Sequence, residues 1–108
     1  MASADKVLEY KMRQTKDIPN LKTIIGQTIT PVRWLLNEYT DANAEIHKVL
    51  VILCTDGQMY RTEVRNFIEA FDSYAASFAE ESEKPSITIT GLKSRRGNPY
   101  ISFTANVG

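Results

Sequence analysis

Val49-Leu50-Val51-Ile52-Leu53-Cys54-Thr55-Asp56-Gly57-Gln58-Met59-Tyr60-Arg61-Thr62 is the stretch that decides the fold of this chain. Its first six residues, Val49 to Cys54, are all apolar. So short a run, rich in β-branched types, reads as a strand from His47 to Thr55 buried on both faces. Asp56-Gly57 is a hairpin signal, because a two-residue turn wants positive φ at both positions. Gln58 to Thr62 is the returning strand, with Met59 and Arg61 on one side and Tyr60 and Thr62 on the other.

Beyond Thr62 the period changes. Val64, Phe67, Ile68, Phe71, Tyr74, Ala75 and Phe78 recur at three- and four-residue steps. That spacing predicts an amphipathic helix over 63–81, about five turns long, with one apolar stripe. Thr62 is the expected N-cap, and Glu63 suits the positive helix end. Glu80, Glu81 and Glu83 oppose the dipole at the other end, so fraying is expected there before Pro85 stops the helix. Ser86 to Lys93 alternates as a strand, Ser94-Arg95-Arg96-Gly97-Asn98-Pro99 is a turn, and Tyr100 to Ala105 alternates again. Ile87, Ile89, Ile101 and Phe103 are expected in the core, with Thr88, Thr90, Tyr100, Ser102 and Thr104 facing outward.

On the N-terminal side, residues 22–36 are rich in β-branched and aromatic types and read as one long strand. Gly26 and Pro31 are its expected bend points. Residues 37–46 read as a polar loop. Residues 1–20 are a polar segment ending in the turn signal Asp17-Ile18-Pro19-Asn20. Within it, Lys6 to Met12 forms a short helix with Val7, Leu8 and Met12 on one side, which either docks or frays. The expected class is therefore mainly β with one helix, in the order β-β-β-α-β-β. That is the element order of a five-stranded OB-like barrel, here a single domain over 21–108.

Composition narrows the function. The 108 residues are 43 % apolar and 24 % charged, which fits one packed domain and excludes wholesale disorder. Zero net charge excludes a globally basic nucleic-acid binder but leaves a locally basic one open. No apolar run approaches the roughly 18 residues of a membrane span, so no membrane partner is expected. Met1 to Lys6 lacks the apolar stretch of a secretory signal. Cys54 is the only cysteine and His47 the only histidine. Cys54 reads as a small core residue of a reducing compartment, and a four-ligand structural zinc site has too few ligands. Asp41, Glu45, Asp56 and Glu63 offer carboxylates for a metal, but nothing in their spacing requires one. Neither an enzyme nor a cofactor is expected.

Four segments together resemble a known family: Val49 to Thr62, Asn66-Phe67-Ile68-Glu69-Ala70-Phe71, Ile87-Thr88-Ile89, and Lys93-Ser94-Arg95-Arg96-Gly97-Asn98-Pro99-Tyr100-Ile101. They give an apolar strand, a DG turn, a YxT ending, a Phe-anchored helix and a K-S-x-x-G-x-x-Y hairpin. In that order the motifs resemble the small single-stranded DNA-binding proteins of bacteriophages, especially phages of Gram-positive hosts. The resemblance spans 47–104 and rests on order and spacing. It implies an OB-like fold that coats single strands during phage replication or recombination in the bacterial cytoplasm. Replication or recombination proteins would then be partners. Many single-strand binders recruit partners through an acidic tail, but no acid follows Glu83 here, so tail-mediated recruitment is not expected.

The charge pattern agrees with that implication. Residues 63–83 hold six acids and one base, whereas 84–108 hold four bases and no acid. In an OB-fold, oligonucleotides cross strands 2 and 3 and are flanked by the loops between strands 1 and 2 and between strands 4 and 5. Lys93, Arg95 and Arg96 fall in the last of these loops. Arg61 and Lys48 lie on the central strands, and Arg33 lies before the first loop. Single-strand binding pairs such cations with aromatic faces, for which Trp34, Tyr39, Tyr60 and Tyr100 are the candidates. Trp34 reads equally as core and Tyr60 as packed on the helix. A competing reading is a phage factor that engages a host protein through its acidic helix. An uncovered sheet edge or apolar helix face would leave a homodimer open.

Overall fold

The computed structural model describes residues 4–13, 17–81 and 83–107. Helix α1 (Ala4–Arg13) is followed by a 3-10 turn (Leu21–Ile24) and strands β1 (Thr28–Ile29), β2 (Pro31–Thr40), β3 (Ile46–Cys54) and β4 (Met59–Thr62). Helix α2 (Arg65–Ser77) precedes β5 (Ile87–Lys93) and β6 (Pro99–Ala105). The strands form two three-stranded antiparallel sheets, β2-β3-β4 and β1-β5-β6. Among the described residues no closed barrel is formed, which corrects the expected closure.

One bent segment serves both sheets. Thr28 and Ile29 pair with Thr88 and Ile87, whereas from Pro31 onward the chain pairs with β3. Between them Thr30 turns away, its carbonyl accepting from Thr55 N at 3.0 Å. Pro31 has no N–H for a ladder, and the register slips between Pro31 and Arg33, a bulge at the predicted bend. The first part of the expected strand is not extended: Leu21–Ile24 forms the 3-10 turn, capped by Asn20, whose side chain accepts from Lys22 N. Beyond residue 36 the expected loop is strand as far as Thr40.

The 3-10 turn also accounts for the open seam. It touches β4, β5 and β6 and places Leu21 and Ile24 in the core. Just before it, Asn20 bridges in parallel to Arg61, and Arg61 N donates to the Pro19 carbonyl at 2.9 Å. The outer edge of β4, where a fifth strand would close the barrel, is thus taken by the chain's own N-terminal segment.

Helix α2 fits against both sheets. Phe67 and Phe71 are almost fully buried, which stabilises the fold by roughly 2–3 kcal/mol for each ring. Phe71 meets Trp34 of β2 edge-on at 5.1 Å, and Phe67 meets Phe103 of β6 at 4.9 Å. Tyr74 donates its hydroxyl to the Pro85 carbonyl at 2.6 Å and ties the helix to the approach to β5. The helix is shorter than its stripe predicts. Its N-cap is Val64, not Thr62; the buried Thr62 hydroxyl instead accepts from Val64 N at 3.1 Å. Glu80, Glu81 and Glu83 fall beyond the last helical turn, as the dipole argument requires.

Sheet β2-β3-β4 is covered on its second face too. Leu50, Ile52 and Cys54 join the core under α2, while Val49 and Val51 join Met12 and Ile18, with Leu35, Leu53 and Met59 packed around them. The run Val49 to Cys54 is therefore buried on both sides, as its composition predicts. Met12 docks at 2 % exposure; the side chains of Val7 and Leu8, expected beside it, lie outside the described residues.

Three hairpin turns share one geometry. Gly57 N donates to Cys54 O and Cys54 N to Gln58 O; Gly97 and Ser94 repeat this pattern with Asn98, as do Ala44 and Asp41 with Glu45. Each is a three-residue loop ending in a left-handed residue, a type I turn with a bulge. At the Asp56-Gly57 turn, therefore, only Gly57 has positive φ, not both residues as expected. Ala44 holds φ 63° where the other two turns have glycine.

Two stability predictions follow. Ala44→Gly removes the left-handed strain and raises unfolding stability by about 0.5–1 kcal/mol after the added freedom of the unfolded chain is discounted; thermal denaturation would read this as a higher Tm. Met12→Ala lowers stability by about 2 kcal/mol or more if the N-terminal segment is part of the core. A loss below about 0.5 kcal/mol in urea unfolding, the scale of a surface change, would refute that.

Candidate nucleic-acid interface

Strand register sorts the sequence-predicted residues. Trp34 and Tyr60 both lie opposite Ile52, on the face turned to α2. Trp34 is half-buried against Phe71 and Tyr74, and Tyr60 packs against the same core. Burial raises the Tyr60 hydroxyl pKa, with lesser contributions from Asp56 and Cys54. Lys48 shares that side of the sheet and pairs with Glu38 at 3.7 Å. Arg33, just past the bulge, is exposed.

Tyr39 and Arg61 lie on the opposite face. Arg61 is partly committed, its Nε donating to the Ile18 carbonyl at 2.8 Å. The Tyr39 ring stacks on His47, its register partner, at 5.0 Å and 17°. Its hydroxyl donates to Glu63 Oε1 at 2.8 Å, and this bond holds its proton and raises its pKa. Arg61, Tyr39 and Glu63 line a shallow cleft of about 550 Å³ with Val49, Asn37, Glu38 and Arg13. Arg13 Nη1 donates to Asn37 Oδ1 at 3.3 Å, so the end of α1 forms one wall.

His47, read from sequence as the start of a strand, is a support for this ring. Its Nε2 lies 2.7 Å from Asp41 Oδ2, while Asp41 Oδ1 accepts from the backbone of Asn43 and Glu45. The hairpin's own turn thus fixes the imidazole that fixes Tyr39. A signal was present in sequence: an Asp six residues before a His across a tight turn brings the two onto one end of a hairpin. Of the four carboxylates considered for a metal, Asp41 and Glu45 gather beside His47, with donor atoms within 4.8 Å of one another. Both Asp41 oxygens already accept hydrogen bonds, so the cluster is satisfied as a turn. Asp56 sits in a different turn and accepts from Gln58 N.

The remaining candidates occupy the other hairpin. Lys93, Arg95 and Arg96 are exposed, with Arg95 and Arg96 at the two positions before Gly97 in the tip. Tyr100 lies opposite Leu92 at the same end, half-buried, on the face away from Ile101. Thr88, Thr90, Ser102 and Thr104 share that outer face, with Thr28 and Thr88 hydroxyls 2.9 Å apart. The ten candidates are therefore divided among two faces of one sheet and the tip of the other. Cys54 is buried, and desolvation, aided by Asp56, pushes its thiol up to about 12, which makes it inert at neutral pH. No helix among the described residues is long and apolar enough to cross a membrane.

No protein-family model, curated protein or solved structure matches this chain.

The His47–Asp41 pair gives a pH prediction. The shared hydrogen bond raises the His47 pKa and lowers that of Asp41. The His47 contribution is complete below the unfolded value of about 6.5 and is lost as pH rises through the higher folded value. The Asp41 contribution is present above the ordinary carboxylate value and is lost as pH falls through the lower folded one. NMR titration of the His47 ring protons should give a midpoint above about 6.5, and Asp41→Asn should lower it. An unshifted midpoint in the native protein would mean that the pair does not form in solution.

Proposed function

We propose that this protein binds and coats single-stranded DNA with little sequence preference, in phage replication or recombination. The observation that carries the reading is the β5–β6 tip. Lys93, Arg95 and Arg96 stand exposed there without a carboxylate partner among the described residues, in a stretch from Lys84 onward that holds no acid. Among the cations elsewhere, Lys48 is engaged with Glu38, Arg65 with Glu69, and Arg61 with a backbone carbonyl. Unpaired guanidinium groups at a projecting turn are suited to phosphates, and Tyr100 beside Leu92 offers an aromatic, apolar surface to a base.

The strand order supports the same reading. Neighbours run β4-β3-β2 on one side of the shared segment and β1-β5-β6 on the other. That order supports reading the two sheets as an OB-like barrel left open between β4 and β6. In such a fold the loop between the fourth and fifth strands flanks the oligonucleotide, and the β5–β6 turn is that loop. On this reading the protein is a binding module with no catalytic step and no cofactor, working in the cytoplasm of a bacterial host beside replication or recombination proteins, and able to form a homodimer. A second reading has one observation in its favour: Glu69 and Asp72 on α2, and Glu80, Glu81 and Glu83 after it, are all exposed. That surface would suit a basic protein partner, and such a protein would show no salt-dependent retention of DNA.

The test is fluorescence anisotropy with a labelled oligo-dT of 30 nucleotides over a range of salt. The native protein should bind it far more tightly than duplex. Lys93→Ala, Arg95→Ala and Arg96→Ala together should weaken binding about tenfold or more and flatten the log–log salt slope by about 2, taking about 0.7 per phosphate contact. Unchanged affinity in the triple variant would remove the tip from the site. No binding by the native protein at low salt would remove the function.

A further inference from the structure

We propose that the free edge of β2 is the interface of a homodimer, on which a second copy of this chain pairs as an antiparallel strand. Hydrogen-bond parity fixes which backbone groups face outward. Asp41 N donates to Glu45 O and continues the β2–β3 register, so the odd-numbered residues of β2 spend their backbone groups on β3. The other side of β3 agrees. Cys54 N donates to Gln58 O, which turns the even-numbered residues of β3 to β4 and leaves its odd-numbered ones for β2. The N–H and C=O groups of Trp34, Leu36, Glu38 and Thr40 therefore point out of the sheet edge. Among the described residues none of these groups has a backbone partner.

This edge lacks the devices that keep a strand from pairing. From Trp34 to Thr40 there is no proline, lysine or bulge; Pro31 and the register slip lie before it. Its one charge, Glu38, is paired with Lys48 on the neighbouring strand. The other edges are less open. That of β4 is taken by the N-terminal segment, and β1 has only two residues. On β6 the 3-10 turn lies against the strand, and Ile101 is 3 % exposed. Apolar surface gathers at the β2 edge instead: Val32, Leu36 and, on β3 opposite Thr40, Ile46 are 49, 45 and 69 % exposed.

A second copy suits this edge because the row is self-complementary. Full antiparallel overlap of residues 34–40 centres the two-fold axis on Asn37. Trp34 of each copy then lies opposite Thr40 of the other, and Leu36 opposite Glu38, in hydrogen-bonded pairs. Leu35 lies opposite Tyr39 in the closer pairs between them, an aliphatic side chain against an aromatic ring. No like charges face each other. The net charge of the chain is zero, so copies do not repel at long range. This interface gives the homodimeric reading its contact surface, and it stands whether or not the chain binds DNA.

The test is sedimentation equilibrium of the full chain, without DNA, over a range of concentrations. The native protein should approach twice the chain mass of 12.2 kDa. Leu36→Lys should raise the dissociation constant about tenfold or more, by placing charges beside the two-fold axis. Leu36→Pro removes an outward N–H that β3 does not use, and should act in the same direction. Far-ultraviolet circular dichroism of Leu36→Lys should match the native protein, because the position is exposed. In the native dimer the Leu36 and Glu38 amides should exchange hydrogen slowly, and faster in Leu36→Lys. A native protein that stays at 12.2 kDa at every concentration would overturn the inference. So would a dimer that survives both substitutions, or one whose Leu36 and Glu38 amides exchange as fast as unpaired ones. No DNA is present, so failure of the single-strand reading would leave this result unchanged.

Discussion

Because the two sheets do not close on each other through a ladder, side chains must hold them together. Phe71 is the centre of that contact. Its ring meets Trp34 from one sheet and Phe103 from the other, with Tyr74 at 5.2 Å completing the group. The bend at Thr30 and the passage of the chain through α2 from β4 to β5 add the covalent joins. The aromatic content is therefore spent largely on cohesion, and this decides what is left for binding. Trp34 is held edge-on under the helix, so the one tryptophan is a structural residue first.

Burial of β3 on both faces has a similar consequence. A strand without an outward polar face needs two cores, and a chain of this size supplies the second with Met12 and Ile18. Those residues cover the middle of the β2-β3-β4 face turned away from α2. What stays accessible lies at the ends of the hairpins: the Tyr39–His47 platform on one and the basic tip on the other. Rigid scaffold with exposed ends is the usual arrangement for binding on loops.

The legible parts of the fold were those whose patterns are local. The apolar run of β3, the alternation of β5 and β6 and the Phe stripe of α2 each declare their burial within a few residues. Asn37 to Thr40 was not legible as strand, because these polar residues pair with β3 while Glu38, Tyr39 and Thr40 stay exposed. Lys22 to Ile24 looked extended because β-branched residues favour strands. Its turn is imposed instead by the Asn20 cap and by packing beneath β4, contacts separated by some forty positions in sequence. For the site, alternation separated Tyr60 from Arg61 correctly, but the sequence carries no mark of which side the helix would cover. His47 escaped notice because its role depends on the Asp41 turn and on Tyr39 across the strand.

A neutral protein can attract a polyanion only by separating its charges. Here the acids concentrate on α2 and the segment after it, while the C-terminal hairpin has none. Within the β2-β3-β4 sheet Lys48 pairs with Glu38, and Arg61 is tied to the Ile18 carbonyl in a cleft that also holds Glu63. The cations at the β5–β6 tip are exposed on a turn that holds its shape through Gly97 and the Ser94 hydroxyl, which accepts from Asn98 N. Their potential is not cancelled nearby, and beyond about 8–10 Å at ordinary ionic strength the acids of α2 are screened from them. Zero net charge and local attraction are thus compatible, and salt, not total charge, is the variable that separates a polyanion binder from a protein whose basic turn is only solvated surface.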